Sequence, residues 1–375
     1  MKYVVILIDG ASDMPVPQLG GKTPLEYASL PRMSALASGG TVGLCKTVPD
    51  GMKPGSDVAN MSVLGIDPKA CYTGRSPLEA ASLGIELLES DLCFRLNLVI
   101  AEDGIMKDYS GGDISTEEAR PLLELLQSKL GDDEFSFYAG TQYRHIMVWH
   151  KPTEHDDIWV PPHNISGQSV ADHVPSGRIG DITAKANKVL ADAGYAQSIW
   201  LWGSGFRPAL PNFYDTYGKR GCVISAVDLL KGIGNLAGMS VPIIDGATGF
   251  LDTNFSGKAD EAIRFLKEDG DFVYIHLEAP DECGHRGLVD GKVKALELID
   301  SLVVGPIVDA FADGELRVLI SPDHATPLET MTHSSEPVPF LLYPGNHPAC
   351  YTEAGAKSTG VYIDPGHNLM KELLI

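Results

Sequence analysis

The sequence predicts an α/β fold: a doubly wound, mostly parallel sheet interrupted by a smaller inserted α+β domain. Three observations predict it. First, Tyr3-Val-Val-Ile-Leu-Ile8 is a continuous apolar run of strand length and residues 316–320 are apolar except for Arg317, the mark of strands buried on both faces. Second, such runs alternate with helix-length amphipathic stretches at both ends of the chain. Third, the texture changes between about 85 and 215, where aromatic, Pro- and Gly-rich segments surround shorter strands. The expected division is therefore 1–84 with 216–375 as one domain and 85–215 as the insert.

Composition bounds the partners. The 375 residues suffice for one large domain or two ordinary ones. Apolar content of 44% with 21% charged residues describes a soluble globular chain with a full core. A net charge of −21 argues against a nucleic-acid partner or an anionic membrane, either of which needs a basic face. An anionic substrate must then be drawn in by local Arg, Lys or metal charge. The six cysteines are scattered without a Cys-x-x-Cys and read as reduced thiols of a cytoplasmic protein. The first apolar run is too short for a signal segment, and no stretch approaches the ~20 apolar residues of a membrane span.

The elements follow in order. The first strand, 3–8, ends at Asp9-Gly10, where open α/β sheets place their ligands. Thr23-Pro-Leu-Glu26 opens a helix with a capping box, and 31–38 is a second helix ending at Gly39-Gly40. Residues 41–47 read as a strand. A Pro/Gly-rich loop from Pro49 then delivers Ser56 to a helix N-terminus, where free N–H groups favour an anion. The plain alternative is an N-cap serine. A short helix covers 78–82. Inside the insert, 94–100, 135–138, 145–149 and the Trp200–Trp202 stretch read as strands, and 115–130 and 181–193 as helices. The α/β pattern resumes with strands at 222–226, 241–244, 271–277, 316–320 and 337–343. Helices lie between them at 228–236, 259–269 and 292–311.

The chemistry gathers at three strand ends. Asp9, Asp281 and Asp323 each follow an apolar strand, and they share one sheet edge if those strands are parallel neighbours. His285 lies four residues after Asp281, His324 beside Asp323, and His333 nine residues further on. Taken singly, an Asp after a strand is most often a helix cap, and Asp-x-x-x-His a chance spacing. Recurrence at three strand ends points instead to metal ligands. Three carboxylates and three imidazoles suit two divalent cations, which about 3.5–4 Å apart can clamp a phosphoryl group. Ser56 near such a pair can lose its proton and attack phosphorus. His276 alternates with apolar neighbours and reads as a core histidine or one that supports a ligand. His145, His150, His155, His163, His173, His347 and His367 read as structural or exposed.

These motifs carry a resemblance. Leu7-Ile-Asp9-Gly, Leu19-Gly-Gly-Lys-Thr-Pro-Leu-Glu, Pro54-Gly-Ser56-Asp-Val-Ala-Asn, Tyr72-Thr-Gly-Arg-Ser-Pro-Leu-Glu, Pro280-Asp281-Glu-Cys-Gly-His285, Pro322-Asp323-His324-Ala-Thr-Pro and His333-Ser-Ser-Glu-Pro-Val-Pro span essentially the whole chain. The chain resembles the cofactor-independent phosphoglycerate mutases of archaeal type, a branch also found in bacteria, within the alkaline phosphatase superfamily. The resemblance implies an alkaline-phosphatase-like sheet and a serine, Ser56, that is transiently phosphorylated. It implies two divalent ions, Mn²⁺ first and Mg²⁺, Co²⁺ or Zn²⁺ as alternatives. One would be held by Asp9, Ser56, Asp323 and His324, the other by Asp281, His285 and His333. The insert would close over a small phosphorylated substrate. Lys231 matches a family lysine that meets the phosphate, and Arg75, Arg95 and Arg144 are candidates for carboxylate and phosphate recognition.

The implied activity is interconversion of 2- and 3-phosphoglycerate, a step of glycolysis and gluconeogenesis, without bisphosphoglycerate. Two departures bear on the substrate. Asp108-Tyr-Ser-Gly-Gly112 stands where archaeal mutases usually carry an Arg-rich stretch. Residues 198–203 and 246–254 look more like a bacterial subgroup proposed to act as homoserine kinase. That kinase would use the same serine with a nucleotide donor, although no Walker-type loop is present. A phosphatase or phosphodiesterase passing the phosphoryl group to water, and a metal-binding protein without catalysis, are the further alternatives.

Overall fold

The computed structural model describes residues 1–152, 160–268, 270–311 and 314–374. His155, and Asp269 at the end of the expected 259–269 helix, lie outside the described residues. Strands β1 (Lys2–Ile8) and β2 (Thr41–Cys45) precede β3 (Leu92–Glu102), β4 (Ile105–Asp108), β5 (Phe135–Thr141), β6 (Arg144–Trp149) and β7 (Ser198–Phe206). After these come β8 (Gly221–Ile224), β9 (Phe272–Leu277), β10 (Leu316–Ser321), β11 (Val338–Tyr343) and β12 (Tyr362–Ile363).

Seven strands form one sheet in the order β12-β2-β11-β10-β1-β9-β8. β1 is parallel to both β10 and β9, and β8 is parallel to β9. Only β11 is reversed, pairing antiparallel with β10 and with β2. Leu7 stands between His276 and Ser321, so the carboxyl ends of β9, β1 and β10 finish in line. The apolar runs are explained by cover on both faces. Val4, Ile6 and Ile8 pack with residues of the helices Pro31–Ser38, Phe255–Glu268 and Val289–Ile299. Val5 and Leu7, pointing the other way, are equally buried.

The compact units divide at 72/73 and 209/210 rather than at 84/85 and 215/216: Met1–Tyr72 with Leu210–Ile375 form one, Thr73–Ala209 the other. The helix Ser76–Ser82 accounts for the earlier boundary, since its Ala80 packs with Leu87, Cys93, Ile146 and Val148 of the second unit. That unit is an antiparallel sheet in which β3 pairs with β4, β6 and β7 and β6 pairs with β5. Its main core lies between the sheet and the helices Thr116–Leu130 and Gly177–Asp192. All six cysteines are free. Among the described residues no helix is long and apolar enough to cross a membrane.

Three local expectations need correction. Residues 241–244 are not a strand. Ser240 makes one isolated bridge to Cys222, then Pro242 offers no N–H and Ile243 is 93% exposed. The expected 292–311 helix starts at Val289 and runs through a π segment, Asp300–Val304, to Ala310. The residues after β9, where no element was expected, form the helix Ala279–His285. The π turn has a structural use. It holds Asp300 buried at the start of the helix Pro31–Ser38, whose N-cap Leu30 offers no side-chain acceptor. Asp300 accepts hydrogen bonds from the Arg32 N–H at 3.0 Å and the Met33 N–H at 2.8 Å.

Asp300→Ala therefore leaves two helix-start donors without a partner. Urea unfolding should show a loss of about 1–2 kcal/mol, and a change below about 0.3 kcal/mol would contradict this capping role.

Candidate metal centre

The in-line strand ends bring the three aspartates together. The Asp9 N–H, just beyond β1, donates to the Leu277 carbonyl at 3.1 Å. Gly10 follows with φ +62°, a conformation open to glycine, and a Cβ there would run into Asp281 and Thr326. The Gly10 N–H donates to Asp323 Oδ1 at 3.2 Å, tying the end of β1 to the loop after β10.

Asp9, Asp323 and His324 place one ligand atom each within 4.8 Å of one another, all from buried side chains. His324 Nε2 lies 3.3 Å from Asp323 Oδ2 and 3.6 Å from Asp9 Oδ1. Ser56 Oγ joins them at 3.2 Å from His324 Nε2. Ser56 is the first residue of the helix Ser56–Val63, with Gly55 as N-cap, so it is not itself the cap.

A second cluster adjoins the first. Asp281, His324 and His333 meet the same 4.8 Å limit, so His324 belongs to both. The helix Ala279–His285 puts Asp281 and His285 one turn apart on one face. His285 Nε2 is 3.3 Å from Asp281 Oδ2 and 2.9 Å from His333 Nε2. The other ring nitrogen of His285 donates to the Met331 carbonyl at 2.9 Å, which fixes the ring with Nε2 facing Asp281 and His333.

The supporting residues were mostly invisible in the sequence. Asn60, fully buried, donates through Nδ2 to the Ser56 carbonyl at 2.8 Å and to Asp323 Oδ2 at 2.9 Å. It accepts from the Tyr274 hydroxyl at 2.7 Å. Only its position four residues after Ser56 on a helix could have suggested this. His276 faces carboxylates on both sides, Asp9 Oδ2 and Glu278 Oε1, each at 2.9 Å. Lys258 Nζ reaches Glu278 Oε2 at 3.0 Å. Lys292 Nζ pairs with Asp13 Oδ2 at 2.6 Å and donates to the Thr326 carbonyl at 2.9 Å. Thr326 Oγ1 in turn donates to Asp281 Oδ1.

Electrostatics tests whether a cation fits. Burial drives the Asp9 carboxyl well above the usual carboxylate range, and the charges of Asp323 and Asp281 push the same way. Burial also penalises Asp281, but hydrogen bonds from His285 and His333 outweigh it and hold that carboxyl low. The same bond to Asp281 lifts His285 to about 9. Asp9 Oδ1 is buried with no hydrogen-bond partner. Three carboxylates facing each other, one oxygen unsatisfied, and imidazole nitrogens turned inward form a donor set that fits divalent cations.

Lys231, on the helix Asp228–Leu236, pairs with Asp228 at 3.3 Å. Arg75, Arg95 and Arg144 belong to the second unit. Glu79 bridges Arg75 and Arg95 at 2.9 Å each, and the Arg95 guanidinium lies 4.2 Å from the centre of the Trp202 ring. Burial lowers Arg95 to about 10, with repulsion from Arg75 and Arg144 added and Glu79 opposing. Burial works against the Glu79 charge, yet the three arginines hold its carboxyl below the ordinary range. The three arginines therefore form one cationic cluster around a single carboxylate.

Residues 37–195 match the family described as 2,3-bisphosphoglycerate-independent phosphoglycerate mutase. A probable 2,3-bisphosphoglycerate-independent phosphoglycerate mutase of Geobacter sulfurreducens is 48% identical over 399 residues, covering 100% of both chains. The 2,3-bisphosphoglycerate-independent phosphoglycerate mutase of Methanosarcina barkeri is 47% identical over 360 residues, covering 92% of this chain and 90% of that one. Among solved structures, the PH0037 protein of Pyrococcus horikoshii superposes with a TM-score of 0.83 at 28% identity, covering 100% of this chain and 96% of that one. The cofactor-independent phosphoglycerate mutase of Thermoplasma acidophilum has a TM-score of 0.68 at 24% identity, covering 100% and 99%, and shares the fold.

Asn60→Ala removes the tie between the Ser56 helix and Asp323 and leaves the Tyr274 hydroxyl unpaired in the core. Chemical unfolding should show a loss of about 2–3 kcal/mol; a stability within about 0.5 kcal/mol of the parent would mean that the tie carries no weight.

Proposed function

We propose that this chain, which belongs to the 2,3-bisphosphoglycerate-independent phosphoglycerate mutase family, is a metal-dependent phosphotransferase that interconverts 2- and 3-phosphoglycerate through a phosphoserine at Ser56. The observation that carries the reading is one serine oxygen, at the start of a helix, facing two confluent clusters of cation-binding side chains. The relatives' names support the substrate class.

Asp9, Asp323 and His324, with Ser56, would hold one cation, and Asp281, His285 and His333 the other. Bound there, the pair would supply Lewis-acid charge that lowers the serine hydroxyl pKa and offsets the charge on the phosphoryl oxygens. Mixed carboxylate and imidazole donors suit Mn²⁺, with Mg²⁺, Co²⁺ and Zn²⁺ compatible.

The chain's own residues do the rest. Ser56 Oγ gives its proton to solvent and attacks phosphorus; its O–P bond forms as the O–P bond to the glycerate breaks, and the glycerate oxygen leaves and takes a proton from solvent. The neighbouring glycerate hydroxyl then attacks the phosphoserine, and the serine oxygen leaves in its turn. No second phosphorylated cofactor is needed, because the phosphoryl group waits on the protein between the two displacements. Asn60 holds the Ser56 backbone against Asp323 and so fixes the direction of attack. The first N–H groups of the Ser56 helix favour the anionic phosphoserine. We assign Lys231, Arg75, Arg95 and Arg144 to substrate anions, since each adds positive charge to a chain of net charge −21.

With Mn²⁺ added and no bisphosphoglycerate, 3-phosphoglycerate should be converted to 2-phosphoglycerate in an enolase-coupled assay. Chelation with EDTA should abolish turnover, and Mn²⁺ should restore it. Lack of turnover, with ATP-dependent phosphorylation of homoserine instead, would overturn the substrate assignment. Ser56→Ala should lower kcat by roughly 10⁴-fold or more while metal analysis still finds both ions; substantial residual mutase activity would remove Ser56 as the nucleophile.

A further inference from the structure

Of the two oxygens of Asp9, one is hydrogen-bonded to His276 and the other is buried without a hydrogen-bond partner. The engaged oxygen, Oδ2, meets His276 Nε2, and the opposite face of that ring meets Glu278 Oε1. Both partners are acceptors, so the ring cannot flip to a better arrangement; either orientation must satisfy a carboxylate on each side. Ser225 Oγ locks the same corner, lying 3.1 Å from both His276 Nδ1 and Glu278 Oε1. Lys258 Nζ closes the chain on Glu278 and also donates to the His276 carbonyl at 3.0 Å. Lys258 and His276 are completely buried, and Glu278 nearly so.

A buried row of alternating charge is an expensive way to fill a core, since hydrophobic side chains of equal volume are often more stabilising. Its placement directly behind one carboxylate calls for a reason beyond packing. We propose that Lys258, Glu278 and His276 are positioning residues that hold Asp9 as a one-oxygen metal ligand, keeping Oδ2 occupied and presenting Oδ1 to the cation. Without His276, Asp9 could turn both oxygens toward the site or rotate toward other donors. Outer partners of this kind typically change metal affinity by about 10–100-fold. The inference rests on the two-cation reading of the same site and adds residues that touch neither the cations nor the substrate.

The test separates position from bulk. His276→Gln keeps an amide N–H close to where Nε2 reaches Asp9, and His276→Asn is polar but one methylene too short. Mn²⁺ binding is measured by equilibrium dialysis on folded protein, with circular dichroism confirming the fold. In the Asn variant, one of two Mn²⁺ sites should weaken about 10–100-fold while the other keeps its affinity; the Gln variant should bind as the parent does. Glu278→Gln, which releases the far side of the ring, should weaken the same site. Equal Mn²⁺ affinities in the Asn, Gln and parent proteins would overturn the inference, as would equal weakening of both sites. A parent protein that binds no divalent ion would instead sink the two-cation reading itself.

Discussion

The structure depends on the repulsion among three carboxylates brought to one edge of a buried sheet. Asp9, Asp281 and Asp323 arrive from strand ends whose register leaves them no room to spread. In a region of low dielectric such a cluster is strongly unfavourable unless donors or cations offset it. Much of the surrounding chain supplies that offset. Backbone N–H groups of Gly10 and His324 and the Asn60 amide serve Asp323, Thr326 and two imidazoles serve Asp281, and His276 serves Asp9. One carboxylate oxygen is left over, where a cation would complete the set.

Two completely buried lysines hold this arrangement from opposite sides of the chain's connectivity. Lys258 anchors the β9 end through Glu278 and His276. Lys292 anchors the 9–13 and 326–328 segments through Asp13 and the Thr326 carbonyl. Removing either partner of such a pair leaves an uncompensated charge in the core. The proposed nucleophile enters by a different route. Ser56 comes with its helix, and a single asparagine ties that helix to Asp323 and to Tyr274 of β9. Rigid elements thus carry each reacting group, as catalysis by positioning requires.

The inserted unit follows different physics. Its antiparallel strands alternate between a face covered by two helices and a face covered by the Ser76–Ser82 helix and its neighbours. Against that background Arg95, buried on β3 and stacked on Trp202, is conspicuous. It shares Glu79 with Arg75, and Arg144 adds to the same field. A net positive cluster suits anion recognition in a chain whose overall charge is strongly negative.

Much of this was legible in the residues. Continuous apolar runs announced the parallel strands, because burial on both faces leaves no alternation. Recurrence of Asp at three strand ends, with His285, His324 and His333 in reach, announced the site's chemistry. The helix Ala279–His285 was not among the expected elements, although Pro280 is favoured in a first helical turn. The 241–244 strand was over-read from β-branched residues despite Pro242. Sequence determined the side-chain types gathered at the site and the order of elements, since both follow from local composition and spacing. Only the tertiary structure decided that Asn60 ties Ser56 to Asp323, that Asp300 caps a helix some 270 residues earlier, and that Lys258, Glu278 and His276 stand behind Asp9. Those contacts depend on sheet register and helix packing, which juxtapose residues that no local pattern relates.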